Sequence, residues 1–97
     1  MRERDIEAHL VKRVKELGGE VRKVQWIGRR GAPDRLVMLP FLTYIGDPSE
    51  LNTIWIELKA PGVKPELHQL REHDRMRKMG QRVVVIDSIE GVEELLQ

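Results

Sequence analysis

Val83-Val84-Val85-Ile86 is an unbroken apolar run of β-branched residues with no position for a solvent-facing side chain. Such a run reads as a strand buried on both faces, since a half-wet strand would alternate. It therefore demands a sheet beside it and cover above and below, which points to an α/β fold with helices packed on a mixed sheet.

The remaining segments supply those parts. From about Arg2 to Leu17, Ile6, Leu10, Val14 and Leu17 recur at helical spacing on one face, and Gly18-Gly19 ends the helix. A strand is expected over Val21 to Ile27, then a loop, Gly28 to Asp34, set by two glycines and a proline. Leu36 to Leu39 reads as a short buried strand, interrupted by Pro40. Thr53 to Lys59 is the clearest strand, closed by Pro61-Gly62. A second helix is expected from about Pro65 to Met79, ended by Gly80, with Leu67, Leu70, Met76 and Met79 as its apolar side. After the buried run, Ser88 is placed to cap a last helix through Leu96. The 97 residues show no repeat or linker and make one domain, residues 1–97.

Composition excludes several classes of function. The absence of cysteine removes disulfide scaffolds, thiolate zinc sites and cysteine nucleophiles. No apolar run approaches the ~20 residues that span a bilayer, and the charged start MRERDIEAHL lacks a signal peptide's apolar stretch, so a cytoplasmic location is expected. The net charge of +1 does not announce a nucleic-acid binder. Its distribution is uneven: Lys12, Arg13, Lys15, Arg22, Lys23, Arg29, Arg30 and Arg35 face only Glu16, Glu20 and Asp34 in that stretch. Arg71, Arg75, Arg77, Lys78 and Arg82 form a second basic group; alone, either group reads as a solvated face.

Chemistry concentrates in two places. Asp34 follows the glycine-rich loop and opens a strand; Glu57 and Lys59 close another, two apart and so on one face. If these strands pair as a hairpin, the two carboxylates meet at one end of the sheet. There they repel unless a cation neutralises them, and all-oxygen ligands suit Mg²⁺ or Mn²⁺. A lysine beside that cation is equipment for metal-assisted phosphodiester hydrolysis. His9, His68 and His73 lack zinc spacing and are read as surface or DNA-proximal residues. Trp26 and Trp55 are read as core or interface residues rather than base-stacking ones. Arg29 and Arg30 flank the carboxylates on a loop and are expected to contact phosphate.

Gly31-Ala32-Pro33-Asp34 followed by Ile54-Trp55-Ile56-Glu57-Leu58-Lys59 resembles the PD-(D/E)xK nuclease superfamily, whose core runs αβββαβ. Within it, the start Met-Arg-Glu-Arg-Asp-Ile-Glu, Gly-Ala-Pro-Asp-Arg and Glu-Leu-Lys-Ala-Pro-Gly most resemble the VRR-NUC (virus-type replication-repair nuclease) family in its stand-alone, phage-like form. The resemblance covers nearly the whole chain.

It implies roles residue by residue. Asp34 and Glu57 match the metal-binding acids, Lys59 the catalytic lysine, and the Leu58 carbonyl a further metal ligand. Glu7 is the first candidate for the acid on the opening helix, by a pattern similar to archaeal Holliday-junction resolvases, and Glu3 the second. Gln69 matches a second-helix glutamine that holds the site or contacts substrate. The expected activity is a Mg²⁺- or Mn²⁺-dependent endonuclease on branched DNA, the four-way junction favoured, working as a homodimer. Its alternatives are a flap nuclease or a non-catalytic DNA-binding module. Arg29, Arg30, Arg35 and basic residues of the second helix are expected on the DNA backbone. One departure stands out: 22 residues separate Asp34 from Glu57, with the excess at residues 41–51. Phe41, Leu42, Tyr44 and Ile45 there serve either a dimer contact or the core.

Overall fold

The computed structural model describes residues 1–40 and 52–97. Their elements run α1 (Glu3–Glu16), β1 (Glu20–Lys23), β2 (Arg35–Met38), β3 (Thr53–Leu58), α2 (Leu67–Lys78), β4 (Val83–Ile86) and α3 (Ile89–Leu95). The first six are the expected αβββαβ order, with α3 added at the end. One mixed sheet has the strand order β1-β2-β3-β4, antiparallel at the first two joints and parallel between β3 and β4. The expectation for residues 41–51 lies outside the described residues.

Alternation along β3 divides the molecule into layers. Ile54, Ile56 and Leu58 point to one face and pack with Ile6, Leu10 and Val14 of α1 and with Val92 and Leu96 at the chain's end. Trp55 and Glu57 point to the other face, where α2 lies. There Glu57 meets His73, and the Trp55 indole donates to Gln81 Oε1 at 3.1 Å. The expected burial of β4 on both faces holds only at its ends: Val83 and Ile86 are buried, Val84 and Val85 are half-buried, and β4 lies at the edge of the sheet, in register with β3 from Trp55–Val83 to Leu58–Ile86. Gly18, with φ +83°, closes α1 in the left-handed region that side chains with a Cβ avoid. The Ser88 hydroxyl accepts from Gly91 N at 2.9 Å, the cap expected for α3.

Three expectations are corrected. The first strand stops at Lys23 rather than Ile27, although Val24 N still donates to Asp34 O at 2.9 Å. Beyond it Trp26 turns its indole to the carbonyl of Pro33, 2.8 Å away, which draws residues 24–33 into a closed loop. Second, α2 begins at Leu67, not Pro65. Third, its inner face is not the leucine side. Leu67, Leu70 and Met79 are exposed, whereas Glu72, His73 and Met76 are buried. Polar residues occupy the core-facing stripe, where Arg29 and Arg75 pair with Glu72 and Glu57 meets one ring nitrogen of His73.

Leu10 is fully buried at the centre of the α1 layer, while its neighbour Val11 is 43% exposed. Leu10→Ala is expected to cost about 2–5 kcal/mol in urea unfolding, and Val11→Ala under about 0.5 kcal/mol. Equal losses would mean that α1 does not carry the core stripe described.

Candidate active site

The hairpin of β2 and β3 fixes the first part of the site. Arg35 lies opposite Ile56, so one step outward Asp34 lies opposite Glu57. Glu57 is 8% exposed. Burial is the main reason its carboxyl is pushed up to about 7, opposed by the nearby Lys59 charge and reinforced by the charges of Asp34 and Glu3. The charges of Asp34 and Glu3 thus both bear on Glu57 at the end of β3, with Lys59 on the same side. Among the described residues no three of His, Cys, Asp and Glu form a ready-made metal cage. The donor set still suits a hard, hydrated cation: two facing carboxylates, oxygen-only chemistry, and a buried acid that lacks enough positive charge to ionise fully at neutral pH.

The two candidate acids of α1 separate. Glu3 acts electrostatically on Glu57, whereas the Glu7 carboxylate binds Nε of Arg35. Arg35 is only 9% exposed, and its other arm reaches Asp34 Oδ1 at 2.8 Å. The expectation of a DNA-backbone contact for Arg35 is therefore corrected: its guanidinium is an internal cation joining α1 to the carboxylate of Asp34. Arg30 is exposed, on the loop before Asp34. Arg29 grips Glu72 with two hydrogen bonds, 2.7 and 2.9 Å, and Arg75 adds a third at 2.9 Å. Hydrogen bonding from Arg29 first, and Arg75 after it, holds the Glu72 carboxyl down at about 2.

Gln69 acts on its own helix: Oε1 accepts from Glu66 N at 2.8 Å as part of the cap of α2. Its backbone nonetheless abuts the loop. Gly31 has φ +86°, and a Cβ there would stand 2.9 Å from the His68 carbonyl and 3.2 Å from Gln69 Cα. Glycine is required at that point both for conformation and for room. Leu58, on the opposite face from Glu57, is part of the core.

His73 is the residue that the sequence reading misplaced. It is fully buried, and its Nε2 stands 3.3 Å from Glu57 Oε1. Burial, helped by the Arg77 charge, holds its pKa below the ordinary histidine value, so the ring is neutral at neutral pH. The Nε2–H tautomer donates to ionised Glu57 and leaves Nδ1 buried without a partner among the described residues. The signal was present at helical spacing: Gln69, Glu72, His73 and Met76 share one side of α2. Hydrophobicity did not mark that side, because three of the four residues are polar.

The Glu57 carboxyl binds a proton in the folded state between pH 4.5 and about 7 that the unfolded chain has already lost. Metal-free stability should therefore fall as pH rises through that window. Glu57→Gln should remove that slope and, at pH 8 in chelator, melt a few degrees above the wild type, about 1 kcal/mol corresponding to ~4–8 °C at this size. Thermal melts across pH would show it; identical slopes in the two proteins would contradict the assigned burial.

No protein-family model matches the chain. A curated protein named "Putative nuclease p44", from Acyrthosiphon pisum secondary endosymbiont phage 1, is 47% identical over 88 residues, covering 91% of this chain and 85% of the phage protein. A solved structure described as a VRR_NUC domain superposes with a TM-score of 0.78 at 39% identity, covering 96% of this chain and 91% of that one. With a shared fold and this level of identity over nearly its full length, the chain belongs to the VRR-NUC family.

Proposed function

We propose that this chain is a divalent-metal-dependent endonuclease that hydrolyses phosphodiester bonds in branched DNA. The observation that carries the reading is the buried Glu57 carboxylate, set beside Asp34 with Lys59 on the same side of the strand end. Membership in the VRR-NUC family and the printed name of the phage relative support nuclease chemistry. Among the described residues no helix is long and apolar enough to cross a membrane.

Asp34, Glu57 and the Leu58 carbonyl would hold one or two Mg²⁺ or Mn²⁺ ions, with an acid of α1 as a further ligand. Glu3 is favoured for that place by its charge coupling to Glu57, Glu7 being engaged by Arg35. Such an ion would supply Lewis acidity and activate a water. Lys59 orients or deprotonates the attacking water and offsets charge on the scissile phosphate. Arg35 fixes Asp34 through its ion pair, and His73, donating to Oε1 of Glu57, would hold that carboxylate in place for the ion. Arg30, Arg29 and the basic side of α2 contact flanking phosphates, which makes binding strongly salt-dependent.

The four-way junction remains the favoured substrate. It has two-fold symmetry, and a C2 homodimer presents one site to each of two opposed strands. The test is cleavage of labelled four-way junction, flap and linear duplex with Mg²⁺ or Mn²⁺, beside Asp34→Ala and Lys59→Ala. Paired symmetric nicks in the junction, lost at least ~10²-fold in either variant while DNA binding persists, are expected. Flap cutting with an intact junction would move the substrate to flaps. No metal-dependent cutting of any DNA would favour a non-catalytic DNA-binding module.

The role of His73 has its own measurement. His73→Leu should weaken Mn²⁺ binding by about 10-fold or more, as loss of a ligand-orienting hydrogen bond does, while His73→Gln retains most of the affinity through its amide N–H. Calorimetric titration reads both. Equal affinities for Leu and Gln would mean that His73 only fills space.

A further inference from the structure

The face of the sheet that carries Glu57 also carries a cleft of about 490 Å³ that the proposed hydrolysis does not use. Trp26, Trp55, Met76 and Met79 form its apolar wall, with Arg29 and Glu72 at its polar edge. The two indoles lie 5.2 Å apart between centroids and are tilted by 49°. Each N–H is already satisfied within the protein, Trp26 by the Pro33 carbonyl at 2.8 Å and Trp55 by Gln81 at 3.1 Å. The rings are thus held in position by their edges, and both remain only partly buried. Met79 stands 68% exposed at the margin, an adaptable side chain that leaves the cleft wettable.

Position gives the cleft its meaning. Trp55 precedes Glu57 by two residues on the same side of β3, a separation of roughly 6.5–7 Å. Trp26 is tied to Pro33, the residue before Asp34. One indole is therefore tied to the residue before Asp34, and the other lies one side-chain repeat before Glu57 on the same face of β3. Arg29 stands at its rim, paired with Glu72, and the helix that forms one wall also carries Arg75 and the exposed Arg71 and Lys78. Flat aromatic faces bordered by cations fit a nucleobase attached to its phosphate; a purely apolar side chain has no use for that border.

We propose that this cleft binds one unpaired nucleobase of the DNA, stacked on the Trp26–Trp55 pair, next to the phosphate that is cut. This rests on the nuclease reading and sharpens its substrate: DNA with an unstacked nucleotide at the cleavage point is preferred over fully paired duplex. It also assigns the two tryptophans a ligand that the sequence reading withheld from them.

The chain has only these two tryptophans, so its intrinsic emission reports the cleft directly. Metal-free protein in chelator is titrated with a duplex carrying a single-nucleotide 2-aminopurine bulge and with the fully paired duplex of the same length. The bulged duplex is expected to bind at least about 10-fold tighter, with quenching of both tryptophan and 2-aminopurine, because one base stacked on an aromatic side chain is worth roughly 5–100-fold in affinity. Trp26→Ala should bring the ratio of the two affinities close to one. Met79→Glu, at an exposed position, should do the same without loss of thermal stability, and Trp55→Phe should keep most of the preference. A ratio near one in the wild type, or a ratio unchanged by both Trp26→Ala and Met79→Glu, overturns the proposal. Cutting of DNA by a wild type that shows no bulge preference would leave the nuclease reading standing and remove the base pocket. Bulge-selective binding with no metal-dependent cutting of any DNA would do the reverse.

Discussion

Burying one acidic side chain in the second layer of the sheet is the constraint on which the rest of this structure turns. β3 must be apolar toward α1 and α3, where Ile54, Ile56 and Leu58 build the core, yet it delivers Glu57 to the opposite face at 8% exposure. A carboxylate there is costly, since a charge taken from water needs compensation. The protein compensates it incompletely. Lys59 and Arg35 act to keep it ionised, but burial, Asp34 and Glu3 prevail and push it up to about 7. An acid left in that condition is partly protonated at neutral pH, and it stands at the end of β3.

The neighbouring charges are arranged by a different rule. Arg35 pairs with Glu7 and Asp34, and Arg29 and Arg75 pair with Glu72, so each of these guanidiniums has a defined protein partner. These contacts join separate elements: Arg35 links β2 to α1, and the Arg29–Glu72 fork clamps the loop before Asp34 against α2. Bidentate pairing with a nearly buried carboxylate makes the second clamp directional. Gly31 completes it, because only a residue without Cβ lets the loop approach the His68 carbonyl so closely. The loop that carries Asp34 is positioned from both sides as a result.

The same layer that holds the carboxylates holds the tryptophan cleft. Alternation along β3 places Trp55 and Glu57 on one face, and the loop that the Trp26–Pro33 hydrogen bond closes brings the second indole against Trp55. Geometry alone therefore couples an aromatic surface to the candidate hydrolytic centre.

Much of this was legible in the sequence, because strand and helix periods are local properties. The spacing of Ile6, Leu10 and Val14, the run at Val83–Ile86, the Gly18 stop and the Ser88 cap each follow from a few consecutive residues. So did the pairing of Asp34 with Glu57, once a hairpin was assumed, since antiparallel register sets opposite residues together. What the sequence did not reveal depends on contacts between distant residues. His73 looks like a surface histidine until α2 is laid over Glu57, 16 positions earlier. Arg35 looks like a DNA contact until α1 presents Glu7 to it, 28 positions earlier. The inner side of α2 was misread for the same reason: hydrophobicity marks a buried side only when burial is apolar, and here ion pairs and hydrogen bonds compensate polar burial. Local chemistry determined the elements and the acids at their ends; the packing of α1 and α2 on the sheet decided which charges face one another.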